Sequence, residues 1–230
     1  EVLNEIGRVL AEGGEYDMAL SHLEKSLAIS NEIGIYTTQG DSLKNTGLLF
    51  AKKQEYELAL SYLQKSLDIS MSMNDQKNIG AILNSLGGVY METGEYNTAR
   101  SYLEKSLNIR EKIGDMNGAG EVFRNIAYLH SIQGEYEQSL KYLRKSLKIY
   151  QKNGDFYSVS TVLHNIGQQY YWQRNLEKAI FFLQKSSEML ESAGLSHIDI
   201  PQRALQRIKN EIGETRFQEI VAKLEVEKRS

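Results

Sequence analysis

Four histidines, His22, His130, His164 and His197, are the residues of this chain best placed to hold a metal ion or move a proton near neutral pH. They are scattered along 230 residues, and none stands in an H-E-x-x-H pattern or beside a carboxylate at ligand spacing, so no metal site is expected. Cysteine is absent, which excludes a disulfide framework, a thiolate zinc site and a cysteine nucleophile together. Gly118 and Gly120 open something like a G-x-G-x-x-G pattern, but Phe123 takes the third glycine position and no strand precedes it. There is no G-x-S-x-G elbow and no G-x-x-x-x-G-K-[ST] loop. The carboxylates lie at ordinary density on solvated helix faces and nominate no acid/base pair. The chain therefore reads as non-enzymatic, with no catalytic residue and no cofactor.

Charge narrows the partners. With 27 basic and 30 acidic residues the net charge is −3, far from the basic footprint of a nucleic-acid binder or of a protein drawn to anionic membranes. No apolar run approaches the roughly 18 residues of a membrane span, and no signal-peptide pattern opens the chain, so a cytoplasmic location is expected. The first residue is Glu1, not Met, which suggests a piece of a longer chain. Lys25, Lys65, Lys105, Lys145 and Lys185 form a row, read as a solvated outer face paired with neighbours such as Glu24 and Glu104 in preference to a stripe for an acidic partner. Ser26, Ser66, Ser106, Ser146 and Ser186 form a second row, for which small size is explanation enough.

Both rows have a spacing of 40, the period of the whole chain. EYDMALSHLEKSLAIS from Glu15 returns as EYELALSYLQKSLDIS from Glu55, EYNTARSYLEKSLNIR from Glu95, EYEQSLKYLRKSLKIY from Glu135 and NLEKAIFFLQKSSEML from Asn175. Gly34, Asn74, Gly114, Gly154 and Gly194 are read as residues closing a helix in the left-handed region, and Asp75, Asp115 and Asp155 as caps of the next helix. Gly14, Gln54, Gly94, Gly134 and Arg174 mark a second break in each unit. Each unit is thus helix, tight turn, helix, with both helices roughly 16 to 18 residues long, or about 25 Å. In the second helix Tyr56, Ala59, Leu60, Leu63, Leu67 and Ile69 fall at amphipathic spacing; Leu83, Leu86, Val89 and Tyr90 do so in the first. Gly7, Gly47, Gly87, Ala127 and Gly167 recur opposite Ala19, Ala59, Ala99, Ser139 and Ala179, so the paired helices should approach closely there. One pair cannot bury its own apolar stripe, so neighbours must stack into a solenoid.

Leu83, Leu86, Gly87, Gly94, Tyr96, Ala99, Leu103 and Ser106 together resemble the tetratricopeptide repeat. The resemblance covers residues 1 to 194 as five units, the first truncated at its start, and leaves 195 to 230 as a divergent capping helix pair. The 40-residue period and the missing proline resemble the long-repeat subclass of kinesin light chains, Pins-type adaptors and bacterial regulator arms. The resemblance implies an all-α, right-handed superhelical solenoid of antiparallel helix pairs. It also implies that the first helix of each unit, helix A, lines a concave groove holding a peptide or helix of a partner protein. Alternatives are a sensor arm of a bacterial signalling or transcription regulator, and self-association through the uncapped N-terminal end.

On that groove the matching positions vary from unit to unit, as a recognition surface should. The candidate residues are Lys44, Asn45, Asn84, Arg124, Asn125, Tyr128, His164, Asn165, Gln168 and Trp172. Asparagine amides offer donor and acceptor and suit a peptide backbone. The family's clamp for a free carboxylate needs Lys and Asn four apart; Lys44 is followed by Leu48, and Asp41 and Glu121 add negative charge, which argues against it. Trp172, the only tryptophan, is expected either to pack on the tail or to meet a partner. His130 stands where Phe50, Tyr90 and Tyr170 stand in other units and is read as an aromatic substitute at the core edge. In the tail a helix is expected from Ile198 to Pro201 onward, ending at Gly213. A second should open with a Thr215/Gln218 capping box, carry a stripe of Phe217, Ile220, Val221 and Leu224, and end in Glu225, Glu227, Lys228 and Arg229.

Overall fold

In the computed structural model, which describes residues 1–194 and 199–229, the described residues form helices joined by tight turns. Five units follow one another: α1 (Val2–Glu12) with α2 (Tyr16–Ile33), α3 (Tyr36–Lys52) with α4 (Tyr56–Ser72), and α5 (Gln76–Glu92) with α6 (Tyr96–Lys112). Next come α7 (Met116–Ile132) with α8 (Tyr136–Asn153), α9 (Phe156–Trp172) with α10 (Leu176–Ser192), and finally α11 (Asp199–Ile212) and α12 (Glu214–Arg229). The chain divides inside α7 into two compact units, Glu1–Asn125 and Ile126–Ser230.

The turns follow the residues that mark them. All ten break positions, including the non-glycine Gln54, Asn74 and Arg174, adopt positive φ. At nine of the ten, all but Gly194, that left-handed residue ends one helix while the next begins two residues later. Asp75 and Asp155 accept the backbone N–H of Asn78 and Ser158, and Asp115 that of Gly118, so the expected caps form. Asn175 is a further cap, accepting from Lys178 N–H.

In the first unit the seam between paired helices is a contact of backbone against side chain. A Cβ placed on Gly7, Gly47 or Gly87 would come within 2.9 Å of the Cγ of Leu23, Leu63 or Leu103 and within 3.3 Å of the Ala19, Ala59 or Ala99 carbonyl. Glycine is what lets each leucine, itself fully buried, reach across the pair. Ile82, Leu86 and Val89 of α5 join Ala59 and Leu63 of α4 in one apolar cluster, so the interior continues from pair to pair. The second unit repeats the seam at Gly167 with Leu183 and Ala179. Its cluster runs from Leu140 and Leu143 through Val162 and Ile166 to Ala204, Ile208, Phe217 and Leu224.

The serine row is buried as expected, and size is only part of the reason. Ser66 and Ser106 donate to the carbonyls of Gly40 and Gly80 at 2.7 and 2.6 Å, and Ser160 and Ser186 exchange hydroxyl and carbonyl bonds at 2.8 to 2.9 Å. In the first pair Ser26 instead meets the Ser42 hydroxyl of α3 at 2.9 Å. The Ser66, Ser106 and Ser186 bonds tie the start of a helix A to the middle of its partner, whereas the Ser26–Ser42 bond joins α2 to α3 of the next pair.

Two tail expectations change. The helix α11 starts at Asp199 with Pro201 in its first turn; Ile198, like His197, lies outside the described residues. The capping box at Thr215 does not form, because Gly213 takes positive φ and α12 already runs from Glu214. Gln218 donates to the Glu214 carboxylate instead, at 3.1 Å. Phe217 and Leu224 are buried and Ile220 and Val221 pack beside them, forming the expected stripe. The side chains of Glu227, Lys228 and Arg229 are outside the description.

Leu103, fully buried against Gly87, should lose about 2–5 kcal/mol of stability on substitution by Ala. Urea denaturation followed by helical circular dichroism measures it; an unchanged midpoint would contradict this packing.

Candidate partner-binding face

The candidate residues sit on α3, α5, α7 and α9, each the first helix of its pair. In the first unit the amides of this face meet one another. Asn45 Nδ2 donates to Asn4 Oδ1 at 3.0 Å, with both residues buried, and Asn125 Nδ2 donates to Asn84 Oδ1 at 2.8 Å in the same register, both half-buried. The asparagines expected to await a peptide backbone thus bridge neighbouring A helices; in Asn45 the amide is committed to that bridge, whereas Asn84 and Asn125 keep part of their surface open. Lys44 is bound within the face, donating to Asp41 at 2.7 Å and to Asn78 at 3.2 Å. Arg124 is half-buried beside Asn125.

In the second unit the face is aromatic and uncharged along α9, which contains no Lys, Arg, Asp or Glu. Tyr128 and Trp172 keep 45% and 43% of their surface exposed. Trp172 stacks on Tyr136 of α8 at 6.3 Å between ring centroids. Asn165 is half-buried. His164 and Gln168 are brought together one turn apart, with His164 Nε2 and Gln168 Nε2 at 3.3 Å.

Arg207 of α11 reaches this pair, and its Nη2 donates to Gln168 Oε1 at 2.9 Å. Gln168 has its oxygen engaged, so its amide N–H donates to His164 Nε2 and the imidazole proton sits on Nδ1. Burial, reinforced by the Arg207 charge, pushes His164 below the usual histidine range and keeps it neutral. Arg203 and Arg207 belong to this face although the sequence reading had treated α11 only as a cap. Their i, i+4 spacing was visible, but the tail breaks the 40-residue period that located every other position.

The lysine row is exposed on the outer face, as read, and rings lie under four of its members. Lys65, Lys105 and Lys145 lie over the rings of Tyr62, Tyr102 and Tyr142, three residues earlier, at 5.0 to 5.4 Å, and Lys185 lies over Phe181 at 4.6 Å. At that spacing the aliphatic stem packs along the ring and the ammonium meets its face. His130 is the aromatic substitute it was read as: it stacks on Tyr142 at 5.4 Å, as Phe50 does on Tyr62, Tyr90 on Tyr102 and Tyr170 on Phe182. Among the described residues no group of three or more His, Asp and Glu could hold a metal ion, and no helix is long and apolar enough to cross a membrane.

Comparison with known proteins identifies the class. The family model for the tetratricopeptide repeat matches residues 1–72, 78–152 and 118–192, and the chain belongs to that family. No curated protein sequence matches it. Solved structures share the fold at low identity. A putative kinesin light chain from Podosopora anserina is 16% identical at a TM-score of 0.60, covering 85% of this chain and 96% of that one. A signal transduction ATPase with a tetratricopeptide repeat sensor, from Pyrococcus horikoshii, gives 18% and 0.70 over 99% of this chain but 36% of its own. A Rap protein complexed with Competence and Sporulation Factor gives 13% and 0.67, covering 95% of this chain and 64% of the Rap chain.

His164 makes stability depend on pH. The unfolded chain takes up a proton below about 6.5 that the folded chain refuses, so the stability from a neutral His164 is complete above that value and declines as pH falls beneath it. His164→Gln should therefore lose less stability between about pH 7 and pH 5 than the natural chain in parallel urea titrations. Equal losses would mean that His164 protonates alike in both states.

Proposed function

We propose that the chain is a non-enzymatic interaction module that receives a peptide or helix of a partner protein along the groove-directed face of its A helices. The observation that carries this reading is the contrast between the two kinds of position. Seam residues such as Gly47, Leu63 and Ser66 return in nearly every unit, while on the A-helix face the place of Arg124 is taken by Asn4, Lys44, Asn84 and His164 in the other units and that of Tyr128 by Arg8, Leu48, Gly88 and Gln168. A scaffold needs the first to be constant, and selectivity needs the second to vary. Tyrosine, tryptophan and arginine are also the side chains that most often dominate binding energy. The fold similarity to a Rap protein complexed with Competence and Sporulation Factor fits the same reading. On this proposal Lys44 and Asn45 shape the wall, whereas Asn84, Arg124, Asn125, Tyr128, Asn165 and Trp172 meet the partner, in the cytoplasm.

A second reading is a sensor arm of a signalling protein. It draws on the repeat sensor of the Pyrococcus horikoshii ATPase, with which nearly the whole chain aligns. Self-association has its own support in the first unit: Val2, Ile29, Ile33 and Ile35, all exposed, line a cavity of about 530 Å³ at the N-terminal end.

Arg124→Glu combined with Asn125→Ala should reduce capture of specific partners from a cell lysate at least about ten-fold, with helicity retained, as expected when central contacts are lost. Asn125→Ala also removes the 2.8 Å bond to Asn84, worth about 0.5–1.5 kcal/mol, so Arg124→Glu alone serves as the variant with an unperturbed wall. Capture of the same proteins by all three chains would refute the groove assignment, and a mass that rises with concentration would favour self-association.

A further inference from the structure

The helix α11 brings two cations to a stretch of the face that is otherwise uncharged. Arg203 and Arg207, one turn apart, line with His164, Gln168, Ile200 and Ala204 a cavity of about 360 Å³ between α9 and α11. Arg207 is oriented before any ligand arrives: its guanidinium lies 4.6 Å over the Tyr171 ring, and its hydrogen bond goes to the neutral Gln168 amide. The nearby Glu211 carboxylate is already engaged, accepting from Tyr171 Oη at 2.5 Å and from Arg174 Nη1 at 2.6 Å. Arg203 pairs with Asp199 of its own helix at 2.8 Å with 81% of its side chain exposed, the kind of surface pair that contributes little and yields to a better-placed anion. Across the cavity His164 is neutral, and its Nδ1 is buried with no hydrogen-bond partner.

A smaller cavity of about 90 Å³ adjoins this one, sharing His164 and Ile200 and walled by Leu190, Pro201 and Tyr157. Its size and lining suit a single aliphatic side chain and exclude a large aromatic one. A forked cation pair beside an apolar slot recognises a planar anion next to a hydrocarbon group.

We propose that these two cavities form a subsite for an acidic residue adjacent to an aliphatic one in a bound peptide segment. Arg207 and Arg203 donate to the side-chain carboxylate, and Leu190, Ile200 and Pro201 enclose the aliphatic side chain. The subsite deepens the partner-binding reading and rests on it for the source of the peptide. It is distinct from a clamp for a chain terminus, since the anion is a side chain. The tail helix thereby supplies specificity at the end of the array as well as covering its core.

The test is a nuclear magnetic resonance titration of the whole chain with N-acetyl-Glu-Leu-amide, whose only charge is the side-chain carboxylate, following the His164 ring signals assigned through their loss in His164→Gln. The signals should shift saturably. Binding should weaken at least about ten-fold with N-acetyl-Gln-Leu-amide or in Arg207→Gln, the loss expected on removing a charge-assisted pair, and less in Arg207→Lys. Equal binding of the glutamine dipeptide, an Arg207→Gln chain that binds as well as the natural one, or a response to inorganic phosphate as strong as to the dipeptide would overturn the proposal. Dipeptide binding without partner capture sensitive to Arg124→Glu would leave this subsite standing and remove the wider groove reading. Sensitive capture with no dipeptide response would do the reverse.

Discussion

The fold depends on one close approach, repeated in four of the five pairs, in which a leucine of helix B packs onto a glycine of helix A; the α7–α8 pair has Ala127 at that place. At Gly87 the missing atom would sit 2.8 Å from Leu103 Cγ. Because glycine there lowers helix propensity by about 1 kcal/mol relative to alanine, the contact must return more than that in burial and dispersion at each of the four pairs that carry it. Fixing this crossing fixes the register of the pair. The serine hydroxyls at Ser66, Ser106 and Ser186 then fall opposite carbonyls of Gly40, Gly80 and Ser160, and the outer aromatic stacks form in the same register. The apolar clusters close the remaining faces.

With the seam carrying the structure, the A-helix face is released from packing duty, though not wholly from polar duty. The Asn4–Asn45 and Asn84–Asn125 bridges satisfy amides that adjacent A helices would otherwise bury unpaired, which is the costly alternative. In the second unit the matching task falls to His164, Gln168 and Arg207, and there the result is a cavity instead of a closed amide pair. The same position in the repeat thus bridges helices at one place and lines a cavity at another, according to what the facing helix contributes.

Much of this was legible in the sequence because the signals were local or periodic. Gly34, Asn74 and Arg174 mark turns through the backbone conformation they tolerate, Asp75 and Asp155 mark caps, and His130 declares itself by standing in an aromatic column. What was not legible required knowing which residues of different helices face each other. The Asn45–Asn4 bridge spans 41 residues, one more than the period, so repeat alignment alone places the two asparagines out of line. The lysine row was assigned to carboxylates because glutamates adjoin it in sequence, whereas the ring three residues earlier is nearer on the helix surface. Arg203 and Arg207 escaped notice because the tail leaves the period. Thr215 looked like a cap until Gly213, two residues before it, took the left-handed conformation that starts α12 earlier.

The central claim is that glycine at the seam serves contact and not chain flexibility, and α5 contains its own control. Gly87 and Gly88 are consecutive helical residues; a Cβ on the first meets Leu103, and on the second meets nothing within 4 Å. The decisive measurement is the unfolding free energy of Gly87→Ala against Gly88→Ala under the same conditions. Both changes gain about 1 kcal/mol of helix propensity, so the account predicts that Gly88→Ala stabilises the chain and Gly87→Ala destabilises it despite that gain. Equal stabilisation by the two would contradict it, since the seam would then accept a methyl group where the packing leaves no room.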